Sequence, residues 1–240
     1  MIKIFCLLIL VLSSLVAKTQ PLNIGLIDYP PHIDFDDDIE QSPLYQYINN
    51  MLAPAGFTVT FMKLPRERAL LELTKGNIDL LLPTTTTIDN KTMKVLPSPL
   101  FHSVPGLCFK KENFIPILSA THRLANLTIG APVNSPLVPA LTDSSAKIVL
   151  IKGRNAINRG LEMTQRARFD AFYHPSPHKV YHRNNPLYKE LACSYFHGYA
   201  TPIHIAVSNA LPISTFNLIN TAFDKALLDK SYEYYFASRE

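Results

Sequence analysis

The segment from residue 64 to residue 101 constrains the fold most, because a helix, a buried strand and a run of threonines follow one another in it. Apolar Leu70, Leu71 and Leu73 precede Gly76, and glycine commonly ends a helix because it tolerates positive φ. Residues 78–82 form a run that is aliphatic apart from Asp79 and is typical of a parallel strand buried on both faces. Residues 84–87 are threonines just past that strand, where open α/β sheets bind their ligands. This pattern predicts hydrogen bonding to a small polar molecule; the alternative is a turn that only caps the next helix.

The same segment carries an ordered set of motif residues: Arg68-Ala69-Leu70, Gly76, Asp79, the threonines 84–87, Ser98 and Phe101. This order resembles the first domain of the extracytoplasmic solute-binding proteins of family 3, the periplasmic receptors of polar amino-acid ABC transporters. The stretch RFDAF at residues 168–172 resembles the second signature of that family. The resemblance implies an α/β, two-lobe fold of the type II periplasmic-binding-protein class, with two crossing strands and a central cleft.

The resemblance and the order of the predicted elements together divide the chain. Residues 18–103 are expected to form lobe 1, and residues 104–207 are expected to form lobe 2, including crossing segments at 104–110 and 202–207. The tail at residues 208–240 has apolar residues at helical spacing, and it is expected to pack back on lobe 1. Strands and helices alternate within the first lobe, which predicts a mostly parallel sheet.

The first 17 residues are expected to be a signal peptide. A short basic start with Lys3 precedes an apolar run that ends near Ala17, a plausible cleavage residue. This run is too short for a membrane anchor, and no later segment approaches the roughly 18 consecutive apolar residues that span a bilayer. We therefore expect an exported, periplasmic protein.

Charge and composition exclude several classes of partner. The formal net charge is +4, and removal of Lys3 with the signal peptide lowers it to 4 − 1 = +3. So weak a bias, without a basic run, does not favour binding to nucleic acid or to a membrane surface. The chain contains no phosphate loop and no metalloprotease motif, and we expect a monomer without a cofactor.

Two cysteines, Cys108 and Cys193, remain after the predicted cleavage. In an oxidising compartment such a pair favours a disulfide, and both residues flank the predicted interlobe crossings. Two isolated buried thiols are the alternative, and the sequence does not decide between them. Neither cysteine lies in a catalytic Cys–His signature.

The resemblance also implies ligand-binding positions in both lobes: Tyr29, Thr84, Thr85, Thr86, Lys91, Asn134, Ser135 and His174. Tyr29 would form an aromatic wall, and the threonines would receive a carboxylate of the ligand. Asn134 and Ser135 would close on the ligand from the second lobe. Arg66 and Arg68 precede a helix at the same sheet edge, where they either meet an anionic group or pair with surface carboxylates such as Glu67 and Glu72.

Two of these positions depart from the amino-acid receptors of the family. Lys91 stands where those receptors place an arginine, and an ammonium cannot form the planar fork of a guanidinium. Pro175 stands where they place the carboxylate that binds the ammonium of the ligand, and the adjacent His174 is an acceptor only as a neutral imidazole. A free α-amino acid is therefore a weak candidate ligand.

The leading interpretation is a periplasmic solute-binding protein that delivers a small polar molecule to an ABC permease, and is not an enzyme. One alternative is a secreted enzyme on the same scaffold, similar to cyclohexadienyl dehydratases, with Asp28, His32 and His174 as candidate acid–base groups. Another alternative is a solute receptor for a membrane signalling partner, which would use the same closing cleft.

Overall fold

The computed structural model describes most of the chain after the predicted signal peptide. The described residues are 19–35, 38–85, 93–116, 118, 123–133, 135–153, 155–177 and 189–237. The predicted signal peptide at 1–17 lies outside these ranges. No helix within them is both long and apolar enough to cross a membrane.

The described strands form two separate sheets. In chain order the strands are β1 (Gln20–Leu26), β2 (Phe57–Lys63), β3 (Leu80–Thr85), β4 (Met93–Val95), β5 (Phe101–Ser103), β6 (Gly106–Lys110), β7 (Thr128–Pro132), β8 (Lys147–Ile151), β9 (Ala171–His174), β10 (Leu191–Tyr195) and β11 (Thr201–Ser208). The first sheet has the order β2-β1-β3-β11-β4, with β5 also paired to β11. The second sheet has the order β10-β6-β9-β7-β8.

The helices pack on the faces of these sheets. They are α1 (Pro43–Leu52), α2 (Arg66–Lys75), α3 (Pro139–Thr142), α4 (Ala156–Gln165), α5 (Ile213–Asp229) and α6 (Tyr232–Ala237), and single 3₁₀ turns lie at Ile39–Gln41, Ala53–Ala55 and Lys111–Asn113. Gly76 ends α2 with a φ of 75°, as the sequence predicts. The tail packs on the first lobe as two consecutive helices, α5 and α6, rather than as one.

Each sheet contains the same parallel unit, fixed by the same kind of aspartate. In the first sheet, β1 pairs in parallel with both β2 and β3, and Asp79 accepts a hydrogen bond from the backbone N–H of Asn23 (2.8 Å). In the second sheet, β7 pairs in parallel with both β8 and β9, and Asp170 accepts one from Thr128 (2.7 Å). Each signature aspartate therefore binds the backbone of a neighbouring parallel strand, in the middle of β1 and at the start of β7, which is a structural role.

Burial explains why these strands are central. The side chains of Leu80, Leu81 and Leu82 are fully buried, because β3 lies between β1 and β11 with helices covering both faces. Phe172 of β9 is buried in the same way against Gly160 of α4, where an added Cβ would lie 2.1 Å from the ring. Such close packing of helix on sheet gives each lobe a buried hydrophobic cluster on both faces of its sheet.

The passages between the two sheets differ from the predicted crossing segments. Residues 106–110 form β6 inside the second sheet, so the first passage shortens to Val104 and Pro105. Residues 202–207, predicted as the return crossing, instead belong to β11, which pairs antiparallel with β3, β4 and β5 of the first sheet. The return passage therefore lies between Tyr195 and Thr201. A β-prone apolar run does not indicate which of two sheets it joins.

A disulfide joins Cys108 of β6 to Cys193 of β10, which are directly paired across two antiparallel strands. The sequence left this bond open against two free thiols. The bond closes a loop with a sequence separation of 85 residues, and that loop contains the whole parallel unit of the second sheet.

We expect replacement of both cysteines by alanine to destabilise the mature protein by about 2–4 kcal/mol, because the bond restricts the unfolded chain. Urea unfolding followed by circular dichroism measures this difference. Reductant should lower the unfolding midpoint of the wild type and leave that of the double variant unchanged. Equal midpoints for the two proteins, with no response to reductant, would show that no stabilising bond is formed.

Candidate functional site

Three loops meet at the carboxyl-terminal edge of the first sheet. Strand β1 leads to Tyr29, β2 leads to Arg66 at the start of α2, and β3 ends at Thr85. Backbone hydrogen bonds hold these exits side by side: the N–H of Leu64 donates to the carbonyl of Leu26, and that of Ile27 donates to Leu82, each at 3.0 Å. Parallel pairing of the three strands thus brings together residues far apart in sequence, as expected for a ligand edge of an open α/β sheet.

Tyr29 lies at the centre of this edge and reaches the other lobe through one serine. Its hydroxyl is 2.8 Å from Oγ of Ser103, and that Oγ donates to the carbonyl of Pro175 at 2.7 Å. A serine hydroxyl has one proton, which goes to Pro175, so Tyr29 is the donor in its bond with Ser103. The Tyr29 oxygen therefore offers only its lone pairs to any further partner.

The surroundings of Tyr29 keep the phenol neutral. Burial raises the pKa of Tyr29 to about 12, while the hydrogen bond with Ser103 and the charge of Arg66 oppose this rise. Tyr29 lies three residues past the end of β1 and Arg66 three residues past the end of β2, and these two strands are parallel neighbours, so both residues lie at the same edge. The predicted aromatic wall and one of the two predicted arginines are thus brought together.

The two arginines differ in their surroundings. Arg68 is exposed and forms an ion pair of 2.7 Å with Glu72, one turn further along α2. This is the surface ion pair that the sequence left as the alternative, so the charge of Arg68 is paired within its own helix. Arg66 is half-buried, and no carboxylate in the described part of the chain lies within ion-pair distance of it.

The predicted threonines are only partly described. Thr84 is 2% exposed, and its Oγ1 has no hydrogen-bond partner in the described part of the chain. Thr85 is half-buried at the end of β3, where it pairs with Ile203 of β11. Thr86 and Lys91 lie outside the described residues, so the predicted roles of these two side chains stay predictions.

The second lobe contributes the ends of β7 and β9. Tyr173 is almost fully buried, and its hydroxyl donates to the carbonyl of Pro136 at 2.8 Å. Burial raises the pKa of Tyr173, and its electrostatic interaction with Tyr29 raises it further. Ser135 is half-buried, and its N–H donates to Pro132 in the turn after β7. Asn134 lies outside the described residues.

The Pro175 region departs from the family in a specific way. The backbone carbonyl of Pro175 points to Ser103 of the first lobe, so this position supplies an interlobe hydrogen bond rather than a carboxylate. His174 beside it is fully buried, and its Nδ1 accepts the N–H of Ser176 at 3.0 Å. A neutral His174 bonded in this way carries its proton on Nε2. This hydrogen bond does not fit the acceptor role that the sequence predicts for His174.

The candidate acid–base residue His32 lies in an aromatic cluster of the first lobe, on the loop that carries Tyr29. Its Nδ1 is 2.7 Å from the hydroxyl of Tyr232 in α6, and its ring stacks on Phe101 with centroids 4.3 Å apart. Near this cluster a depression of about 180 Å³ includes Ser176 of the second lobe. The cluster packs the last helix against the first sheet, and it adjoins the Tyr29 edge, because the ring of Tyr29 stacks on that of His32 with centroids 5.8 Å apart.

Reasoning from the sequence missed Ser103 and Tyr173. Both are polar residues at the ends of strands, one at the end of β5 and one near the end of β9. That placement is a usable signal, since strand ends border the cleft in this fold class. However, serine and tyrosine are common in strands, and only the three-dimensional pairing of the lobes distinguishes these two.

Comparison with known proteins yields similarity in structure alone. No protein-family model matches the chain, and no curated protein matches its sequence. Solved structures that are similar include the GluR0 ligand-binding core in complex with L-glutamate, with 15% identity, a TM-score of 0.72, and coverage of 90% of this chain and 96% of that one. An ancestral amino acid-binding protein, described as a precursor of cyclohexadienyl dehydratase, has 16% identity, a TM-score of 0.72, and coverage of 95% and 98%.

A third similar structure is a probable amino-acid ABC transporter extracellular-binding protein from Bacillus subtilis, with 14% identity, a TM-score of 0.70, and coverage of 91% of this chain and 96% of that one. These neighbours are amino-acid-binding proteins of the kind that the sequence motifs resemble. At such low identity they establish the architecture and not the ligand. The chain has the two-lobe α/β fold of the type II periplasmic-binding proteins.

Proposed function

We propose that this protein is an exported, periplasmic solute-binding protein that captures a small polar molecule between its two lobes for an ABC permease. The observation that carries the proposal is the hydrogen-bonded path from Tyr29 through Ser103 to Pro175. This path joins the ligand edge of the first sheet to the end of β9 in the second. The two strand-end surfaces therefore meet where a receptor of this fold holds its solute.

Hinge closure is the physical step that the proposal requires. Two short passages connect the lobes, and a solute that contacts both lobes favours the closed state only through its higher affinity for that state. Ser103 lies beside the first passage and contacts both lobes directly. We expect it to act as a joint around which the lobes close.

The proposed solute is not a free α-amino acid. Where the family resemblance places a carboxylate for the ammonium group, the chain has Pro175, whose carbonyl is already bonded to Ser103. An ammonium group bound there would lack a full opposite charge, and leaving a charge unpaired in a closed cleft is costly. The glutamate seen in the GluR0 core belongs to that protein and is not carried over.

The proposed partner is a membrane permease of an ABC transporter, and the proposed state is a monomer without a cofactor. The similarity to the Bacillus subtilis protein supports this class of partner. We propose binding rather than catalysis because His32 and His174, the candidate imidazoles, already bond with Tyr232 and with the N–H of Ser176. Dehydration of a cyclohexadienyl compound by the purified protein would instead favour the dehydratase alternative.

A thermal-shift screen of the mature protein tests the function directly. The panel comprises amino acids, hydroxy acids, other organic acids, short peptides, polyamines and sugars. A solute at a hundredfold its dissociation constant adds about 2.7 kcal/mol, which raises the melting midpoint of a chain of this size by about 5–10 °C. One chemical class should give such a shift. A strong response to ordinary α-amino acids would contradict the interpretation of Pro175, and no response to any class would contradict the receptor function.

We expect Ser103→Ala to weaken the closed state, because it leaves the Tyr29 hydroxyl and the Pro175 carbonyl without their shared partner. Loss of such buried bonds costs about 1–3 kcal/mol. Urea unfolding measures the stability, and calorimetric titration with the solute found in the screen measures the affinity. Ser98→Ala is the matched control, since Ser98 is only partly buried and, within the described part of the chain, its hydroxyl makes only a 3.4 Å contact with Asp224. Equal affinities for the two variants would exclude Ser103 as the joint.

A further inference from the structure

We infer that the solute is a hydroxylated organic anion, whose anionic group binds Arg66 and whose hydroxyl group donates to Tyr29. This inference rests on the proposed function and names the substrate class of the same cleft. It follows from which hydrogen-bonding and charged groups at the ligand edge already bond to a protein partner in the described part of the chain and which do not.

Arg66 is the available cation. Its neighbour on the same helix, Arg68, is neutralised by Glu72 at 2.7 Å, whereas Arg66 has no ion-pair partner in the described part of the chain. Arg66 is half-buried beside the loop that carries Tyr29, so its charge is only partly screened by solvent. A guanidinium in this setting binds a carboxylate through two parallel hydrogen bonds.

Thr84 is a second, independent indication that the solute carries a hydrogen-bond acceptor. It is 2% exposed, and its hydroxyl has no hydrogen-bond partner in the described ranges. Thr84 lies two residues after Leu82 on β3. The carbonyl of Leu82 accepts a hydrogen bond from the N–H of Ile27, at the start of the loop that carries Tyr29. A buried hydroxyl without a partner is costly, so a solute oxygen that accepts its proton would be stabilising.

The hydroxyl groups of two tyrosines indicate that the rest of the solute carries hydrogen-bond donors. Tyr29 donates a hydrogen bond to Ser103, and Tyr173 donates one to the carbonyl of Pro136 at 2.8 Å. Both oxygens can then only accept hydrogen bonds, so they select donors on the solute. These donors are hydroxyl groups rather than an ammonium group, because the carbonyl of Pro175 replaces the carboxylate that would balance a positive charge.

The experiment measures binding of matched acids to the mature protein by calorimetric titration. The probes are succinate, malate and tartrate, which differ only in the number of hydroxyl groups, together with gluconate, glucose and aspartate. The inference predicts tighter binding of at least one hydroxy acid than of its deoxy counterpart, and no binding of glucose or aspartate. This selectivity is measured on the wild type, so it does not depend on whether any variant folds.

Two arginine variants then locate the anion. Arg66→Gln should lower the affinity for the bound hydroxy acid by about tenfold to a hundredfold, as expected for loss of a charge-assisted hydrogen bond. Arg68→Gln removes the same charge from the same helix and should leave the affinity unchanged. Equal losses in the two variants would indicate long-range attraction and would overturn the assignment of Arg66.

Failure of this inference is distinguishable from failure of the proposed function. If an amino acid, a peptide or a neutral sugar binds and Arg66→Gln does not weaken it, the hydroxylated anion is wrong and the receptor function stands. If no hydroxy acid binds, the inference is overturned in any case. If no solute of the wider screen binds either, the receptor function is contradicted as well.

Discussion

One serine hydroxyl connects the two lobes at the place where a solute would enter. Ser103 is 3% exposed, accepts a hydrogen bond from Tyr29 and donates one to the carbonyl of Pro175. Because Tyr29 donates to Ser103, the Tyr29 oxygen can only accept further hydrogen bonds. Ser103 also bonds to the carbonyl of Pro175, at the position where related receptors would present a carboxylate. These two hydrogen bonds therefore join the lobes, and the selectivity that we propose for the cleft depends on them as well.

Much of the fold was predictable because its determinants are local. Gly76 ends a helix through its own backbone freedom, and the leucines of β3 require a strand covered on both faces. Asp79 and Asp170 add a second rule, since each binds the backbone of the parallel strand beside the one that it precedes. These rules operate within some tens of residues, which is why the motif order was sufficient to predict two α/β lobes.

The rest depends on contacts between distant parts of the chain. Residues 202–207 are β-prone in either sheet, and only pairing with β3 assigns them to the first. Arg66 and Arg68 are equivalent in the sequence, yet α2 directs one to Glu72 and leaves the other beside Tyr29. Ser103 and Pro175 are 72 residues apart, so no spacing pattern could have indicated their hydrogen bond.

The central claim is that a solute closes the two lobes about this joint, and an interlobe distance tests it most directly. Spin labels placed on Glu67→Cys, at the start of α2, and Lys152→Cys, after β8, lie at the strand-end edges of the two sheets. Pulsed dipolar spectroscopy would compare the mature protein alone and saturated with the solute that binds most tightly in the screen. The account predicts a shorter and narrower distance distribution with the solute, and less change when Ser103→Ala is introduced. A solute that binds without altering this distance would contradict closure.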